Sequence, residues 1–510
     1  MKADITRVTF DPDKHYSRVL MQQGRVQLDA DWNEQSAILQ HHLRVLTRDM
    51  VGPYAGPVDD CGFEIITAAT LYRLASITDS TRRSYLEGAV RKGNFVIGPG
   101  RYYVDGIPIE NKRAILYTEQ PGYPFWNSPT LEDIQSEVAV LIYVDVWERH
   151  ITYVEDDHLR EVALEGPDTC TRAQVVWQIK VHAETTGEAR AGTFGCHSAD
   201  TLPRLGTGML RARALLDKPV TELCSIPPSS RYRGAENQLY RVEIHQGGSA
   251  ATGATYKWSR ENGSVTFPIR DLSDGAATLE TLGRDDHLGL EADDWVEIMD
   301  DQVALSGRPG LLAQVKEVHR DELQVTLSVP GSPPPTIPSY GQVQAWLHPL
   351  LRRWDQTGDP AAAGALPVVE GTAPSSSAGG WQSLEDGVQI RFSPGGQYTT
   401  GDYWLIPARV ATGDVEWPHE VDQASHTIVT DADGNPVPAA RLAAGTYHSY
   451  APLWLVRPAG GGYAAGHDCR CQFGPLPCVS YVYAYGAEAI GQDLVSIAPK
   501  PVKAKRGTKK

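Results

Sequence analysis

From about residue 60 onward, short apolar runs alternate with glycine and proline, and no other feature constrains the fold of this chain as strongly. Phe95-Val-Ile97 is closed by Gly98-Pro99-Gly100, and Tyr102-Tyr-Val104 by Asp105-Gly106. Runs this brief are too short for a helix with a continuous buried stripe, but they suit strands that end in turns. Val138 to Trp147 is an apolar run of strand length and predicts a strand buried on both faces; Val175 to Val181 alternates and reads as its sheet partner. Further strands are expected at Leu239–His245, Ala254–Arg260, Val265–Ile269, Trp295–Met299, Gln314–Val318 and Gln324–Ser328. Many short strands at close spacing predict sandwiches or small barrels. The expected fold class is therefore mainly β, with multidomain β-sandwich or small-barrel modules, an N-terminal arm and one amphipathic helix.

That helix is expected to open with Asp29-Ala-Asp31-Trp32-Asn33-Glu34-Gln35, after an extended arm at 1–28, and Asp31 with Glu34 three residues on fits a capping box. Leu39, Leu43, Leu46 and Met50 follow at helical spacing, and Gly52-Pro53 ends it. Gln40, His41, Arg44 and Arg48 occupy the other face. A one-sided helix must bury its apolar stripe, here against a sheet or a neighbouring subunit.

At roughly 100–200 residues per domain, 510 residues allow several domains. The expected partition is an arm and docking helix at 1–58, a first β domain at 59–185 and a connecting region at 186–230. A second β domain follows at 231–345 and a third β region at 346–485. Residues 357–380, rich in Ala, Gly and Ser, read as a flexible insertion, and 486–510 as a basic, disordered tail.

Composition excludes some functions. A net charge of −16 repels phosphate backbones, so no nucleic-acid partner is expected. No apolar run is long enough to span a membrane, and the first residues lack the apolar core of a signal peptide. Synthesis in the cytoplasm is expected, with any external role reached as part of a released particle. Trp (12) and Tyr (22) far exceed Phe (8), which leans toward interfaces with one apolar and one wet side.

Several long phrases resemble a known family. They include Phe10-Asp-Pro-Asp-Lys-His15-Tyr16-Ser-Arg18 through Gln22-Gln23-Gly24-Arg25 to Asp31-Trp32-Asn33-Glu34-Gln35. Others are Val144-Asp-Val-Trp-Glu-Arg-His150, Tyr256-Lys-Trp258-Ser-Arg-Glu-Asn-Gly263, Arg352-Arg-Trp-Asp-Gln356 and Gly401-Asp-Tyr-Trp404. Together they resemble a large uncharacterised bacterial domain family of about this length, whose members occur with phage-tail-like contractile injection system components. The N-terminal part is also similar to that of some phage baseplate and tail-fibre proteins, where an arm and helix attach the protein to the particle. The resemblance implies a structural subunit, not an enzyme, with other particle subunits as partners and homo-oligomerisation within the assembly. Baseplate, spike, fibre-attachment, lumen and cap positions all stay open. Tyr16, Arg18, Gln22, Gln23, Arg25, Trp32, Asn33 and Gln35 are the expected interface residues, unless they organise the fold internally. The alternatives are a receptor- or glycan-binding module using Trp258 or Trp404, and an injected effector or glycan hydrolase.

Candidate chemistry is sparse, and no cofactor is expected. His467, Cys469, Cys471 and Cys478 are the metal candidates, with the four donors that zinc takes but not the spacing of a standard finger. Disulfides or free thiols are the other readings, and Cys196 and Cys224 either pair with each other or join this cluster. His419-Glu420 with His426 lacks the spacing of a zinc-protease helix. Asp431-Ala-Asp433-Gly434 reads as a β-turn, and Asp293-Asp294 and Asp300-Asp301 as solvated turn residues. Glu243 and His245 share a strand face and read as a hydrogen-bonded pair.

Overall fold

The computed structural model describes residues 1–123, 138–164, 168–215 and 231–474, except 186, 189–191, 204, 286, 332, 359–362, 372–379, 432–433, 460–461 and 464–465. The chain is mainly β, built around three apolar cores.

The first module is centred on strand Val140–Ile151, whose apolar run is buried as its composition requires. Arg172–Ala183 pairs with it along its whole length, with Val144 opposite Ile179. On its other side lies Ser449–Val456, from far along the chain. The hairpin Gly100–Val104 and Ile107–Asn111 packs on the same core through Tyr102, Val104 and Ile109. Tyr54–Pro57 joins that hairpin and accepts Gln472–Phe473 as a parallel neighbour.

The second module is a sandwich. One sheet runs Leu366–Pro367, Thr255–Ser259, Gln238–Gln246, Tyr403–Arg409, Asp414–Val415. The other runs Gln382–Ser383, Val388–Phe392, Met209–Ala214, Arg441–Leu442. Tyr240, Trp258, Ile390, Phe392, Trp404 and Ile406 fill the space between them. The third module is a closed six-stranded barrel, in order Thr266–Ser273, Ala276–Leu279, Gln324–Ser328, Leu311–His319, Trp295–Met299, Leu350–Trp354. Closure leaves no free sheet edge.

The sheets cut across the sequence partition. The boundary at 345 falls before the last barrel strand, Leu350–Trp354. Strands from 186–230, 231–345 and 346–485 all contribute to the sandwich, and the barrel is inserted between two of its strands. Antiparallel sheets recruit partners by shape and burial, so strand signals locate strands without naming their neighbours. The stretch 357–380 is pinned at its centre, with Leu366–Pro367 on a sheet edge and Ala365 and Val368 buried. The tail 486–510 lies outside the described residues.

Helix α1 spans Asp29–Val51 and ends at Gly52, whose φ of 91° favours glycine. It starts at Asp29, where the arm is expected to give way to the helix. Asp31 accepts the Leu28 amide at 3.3 Å, while Glu34 accepts the hydroxyl of Thr9 from the arm at 2.6 Å. A second α-helix, α2 (Ser80–Val90), corrects the expectation of one helix. Asp79 caps it through the amides of Thr81 and Arg82, and Leu86 and Val90 anchor it.

Candidate functional site

Two features stand out: the outward face of α1 with its arm, and a charged cavity where the three modules meet.

The helix is mounted with its polar side inward. Arg44 reaches Glu148 at 2.8 Å, and Gln40 donates to the same carboxylate at 3.1 Å. Arg48 lies 3.8 Å from Asp105. The helix backbone presses on the next turn so closely that a Cβ on Gly106 would sit 2.2 Å from the Arg44 carbonyl oxygen. Of the apolar helix residues, Ala30 and Ile38 are buried. Leu39, Leu43, Leu46 and Met50, the stripe expected to find cover, all face outward, Leu43 at 64% exposure. Periodicity shows which residues share a face; contacts decide which face turns in.

The arm divides at about residue 10. Its start is strapped to the sandwich: Lys2 pairs with Glu243 at 3.0 Å, Arg7 with Glu416 at 3.0 Å, and Asn262 donates to the Ala3 carbonyl at 2.7 Å. Residues 11–28 return to α1, where the Val19 amide donates to Gln35 at 2.9 Å. Gln35 thus has an internal role. Tyr16, Arg18, Gln22, Gln23, Arg25, Trp32 and Asn33 are exposed, together with Leu20, Met21 and Val26.

The cavity, of about 390 Å³, lies between the arm, strand Val140–Ile151, the sandwich and the barrel. Lys257 lies 2.6 Å from Glu297 and 3.4 Å from Glu243. Arg241 donates to Glu243 at 2.6 Å. Glu297 also accepts Trp354 Nε1 at 3.0 Å and the Gly310 amide at 2.9 Å. Glu243, Glu297, Arg241 and Lys257 are all buried. Burial raises the pKa of both carboxyls, but cations outweigh it. Lys2, Arg241 and Lys257 hold Glu243 well below the ordinary range, and Lys257 leads in taking Glu297 to about 2. At the far wall, Arg149 and His348 hold Asp301. Arg352 has a different environment: its guanidinium donates to the Gly263 carbonyl, and Glu297, Glu155 and Glu243 act on it through space, with no carboxylate within ion-pair distance among the described residues. His150 also lines the cavity, and its Nε2 is buried without a hydrogen-bond partner among the described residues. Burial first, then the charge of Arg352, pushes His150 down to about 3.

These positions revise several expectations. Glu243 and His245 do not bond each other; His245 Nδ1 lies 3.8 Å from Glu297, and Lys257 links the two glutamates. Asp300 is a buried helix cap rather than a solvated turn residue, accepting the Val303 amide and the Tyr340 hydroxyl. Asp431 does close a turn, accepting the Asn435 amide at 2.8 Å, while Asp433 lies outside the described residues. His419 and His426 sit in bridged and left-handed backbone, not on one helix.

Of the metal candidates, Cys469 forms a disulfide with Cys196, which removes its thiolate from any ligand set. His467 and Cys471 are exposed, and Cys224 and Cys478 lie outside the described residues. Among the described residues, no group of three or more His, Cys, Asp or Glu could hold a metal ion. No helix among them is long and apolar enough to cross a membrane.

Interlocked sandwich, barrel and three-segment sheet, carrying an outward apolar helix, define a β-rich multidomain protein. The chain belongs to the Family of unknown function (DUF6519), whose profile matches residues 1–199 and 204–507. Comparison with curated proteins and with solved structures gives no match.

Proposed function

We propose that this protein is a structural subunit of a phage-tail-like contractile particle, attached to a neighbouring subunit through α1 and residues 11–28. The observation that carries this reading is the inverted mounting of α1, with Leu39, Leu43, Leu46 and Met50 turned to solvent. Contiguous exposed apolar surface on a folded chain marks an interaction site. Its composition fits a protein partner: Trp32, Tyr16, Met21 and Met50 with Arg18 and Arg25 are the residue types enriched at interfaces. At about 1.5 Å per residue the 23-residue helix offers a face roughly 35 Å long. The likeness of Gln22-Gln23-Gly24-Arg25 with its following helix, and of the Gly93–Gly100 and Tyr103–Gly106 phrases, to the N-terminal part of some phage baseplate and tail-fibre proteins supports the same reading.

The tryptophans named for glycan binding and the buried glutamate pair of the cavity favour this reading over the alternatives. Trp404 is 2% exposed and donates to the Arg441 carbonyl, and Trp258 is also buried, so neither can stack on a sugar. Glu243 and Glu297 are both held ionised, which leaves this pair without the general acid that glycoside hydrolysis needs.

The test is incorporation. In the native host, Leu43→Glu with Leu46→Glu should leave the protein folded but absent from purified particles. Incorporation at the wild-type level would overturn the proposal.

A further inference from the structure

We infer that the central cavity is a binding site for a small oxyanion, a carboxylate or phosphate group, held by Arg352 and His150. The carboxylates around the cavity are already engaged. Lys2, Arg241 and Lys257 surround Glu243; Lys257, Trp354 and Gly310 satisfy Glu297; Arg149 and His348 take Asp301. Arg352 is left over. It stands directly across from Glu297 in the barrel register, yet Glu297 is turned to Lys257, and Arg352 keeps one backbone carbonyl. A guanidinium presents five donors in a planar fork that matches a carboxylate or phosphate. One carbonyl uses little of that capacity, and the carboxylates of Glu297, Glu155 and Glu243 act on Arg352 through space without a hydrogen bond to it among the described residues, so most of its donors face the cavity unused.

His150 supplies the second observation. Its Nε2 has no hydrogen-bond partner, though buried polar atoms are nearly always paired. A neutral imidazole with its proton on that nitrogen donates to an anion without adding charge. Lys2 and Arg241 border the same space and add positive field. All this lies in a chain of net charge −16, so the positive lining is local and is not a property of the surface at large. A volume of about 390 Å³ is near the lower end of the roughly 300–1,000 Å³ typical of small-ligand sites, so the occupant is one small anion.

The experiment is titration of the full-length protein with inorganic phosphate and, separately, citrate, at ionic strength held constant with sodium chloride. Binding is read by calorimetry and by Tm. At roughly 10 mM anion, a millimolar site gives a saturable rise in Tm by mass action. Arg352→Met should weaken binding at least about tenfold, since a charge-assisted pair is lost. Arg352→Lys should retain part of it, and Arg284→Met, at an exposed arginine outside the cavity lining, should bind as wild type does. His150→Gln, which keeps a donor, provides a second variant if Arg352→Met folds poorly, and it should bind measurably. Response to phosphate alone assigns a phosphoryl ligand, and response to citrate alone assigns a carboxylate. No saturable response to either anion, or equal binding by wild type, Arg352→Met and Arg352→Lys, would overturn the inference.

Discussion

The guanidinium of Arg44 lies 2.8 Å from the carboxylate of Glu148, and this pair fixes which face of α1 looks inward. If the outward leucines contribute nothing to the fold of the single chain, Leu43→Glu and Leu46→Glu should each change unfolding free energy by no more than about 0.5 kcal/mol. Ile38→Ala, on the buried side, should cost about 2–4 kcal/mol. Urea denaturation of the three variants checks the contrast, and a large loss on Leu43→Glu would mean the face is covered within the chain.

Gly106 tests the same mounting from below. Its φ of 79° and the adjacent Arg44 carbonyl leave no room for a Cβ. Gly106→Ala should destabilise the protein by more than about 1 kcal/mol and raise amide exchange in α1, because the helix must lift off its seat. Unchanged exchange in α1 would contradict the contact.

Lys257 joins two buried carboxylates from different modules, Glu243 of the sandwich and Glu297 of the barrel. Lys257→Met should cost about 3–5 kcal/mol, because it strands charge in the interior. Adding Glu297→Gln should recover much of that loss, whereas Glu243 keeps Lys2 and Arg241 as partners and stays in place. Denaturant titration of the single and double variants distinguishes stranded charge from lost packing.

Stability should fall with acid in two stages. His150 is lowered from 6.5 to about 3, so the unfolded chain takes up a proton that the folded chain refuses, and stability declines as pH falls from about 6.5 toward 3. Glu297 is lowered from 4.5 to about 2, so its contribution is full above 4.5 and is lost as pH falls toward 2. Thermal melts across this range should show the decline starting near pH 6.5; His150→Gln should reduce this first stage, and His245, which burial lowers to about 4, carries the remainder.

Cys196 and Cys469 are joined across 273 positions of sequence. Peptide mapping under non-reducing conditions should recover this linkage, and Cys469→Ala should cost about 2–4 kcal/mol. Recovery of Cys469 linked to Cys471 or Cys478 would overturn the assignment.

Much of the fold was legible in local pattern. Trp295–Met299 and Gln324–Ser328 match the expected strands end for end, and Val140–Ile151 pairs with Arg172–Ala183 as alternation implied. Helix α2 was missed because Ser80–Val90 has a capping Asp79 but few apolar residues to set a period. The charged cluster was illegible for another reason. Lys2, Glu243, Lys257, Glu297 and Arg352 come from separated segments, and no spacing rule links residues that only tertiary packing brings together. Cys196 was noted as able to join the later cysteines, but only geometry selects Cys469.

The strand Val140–Ile151 takes Ser449–Val456 as a neighbour. During synthesis the ribosome must therefore deliver both the sandwich and the barrel before this first sheet can be completed. At roughly 5–20 residues per second, the unfinished edge waits for tens of seconds. A nascent chain stalled before residue 449 would present a long apolar β edge, the kind of surface on which aggregation starts.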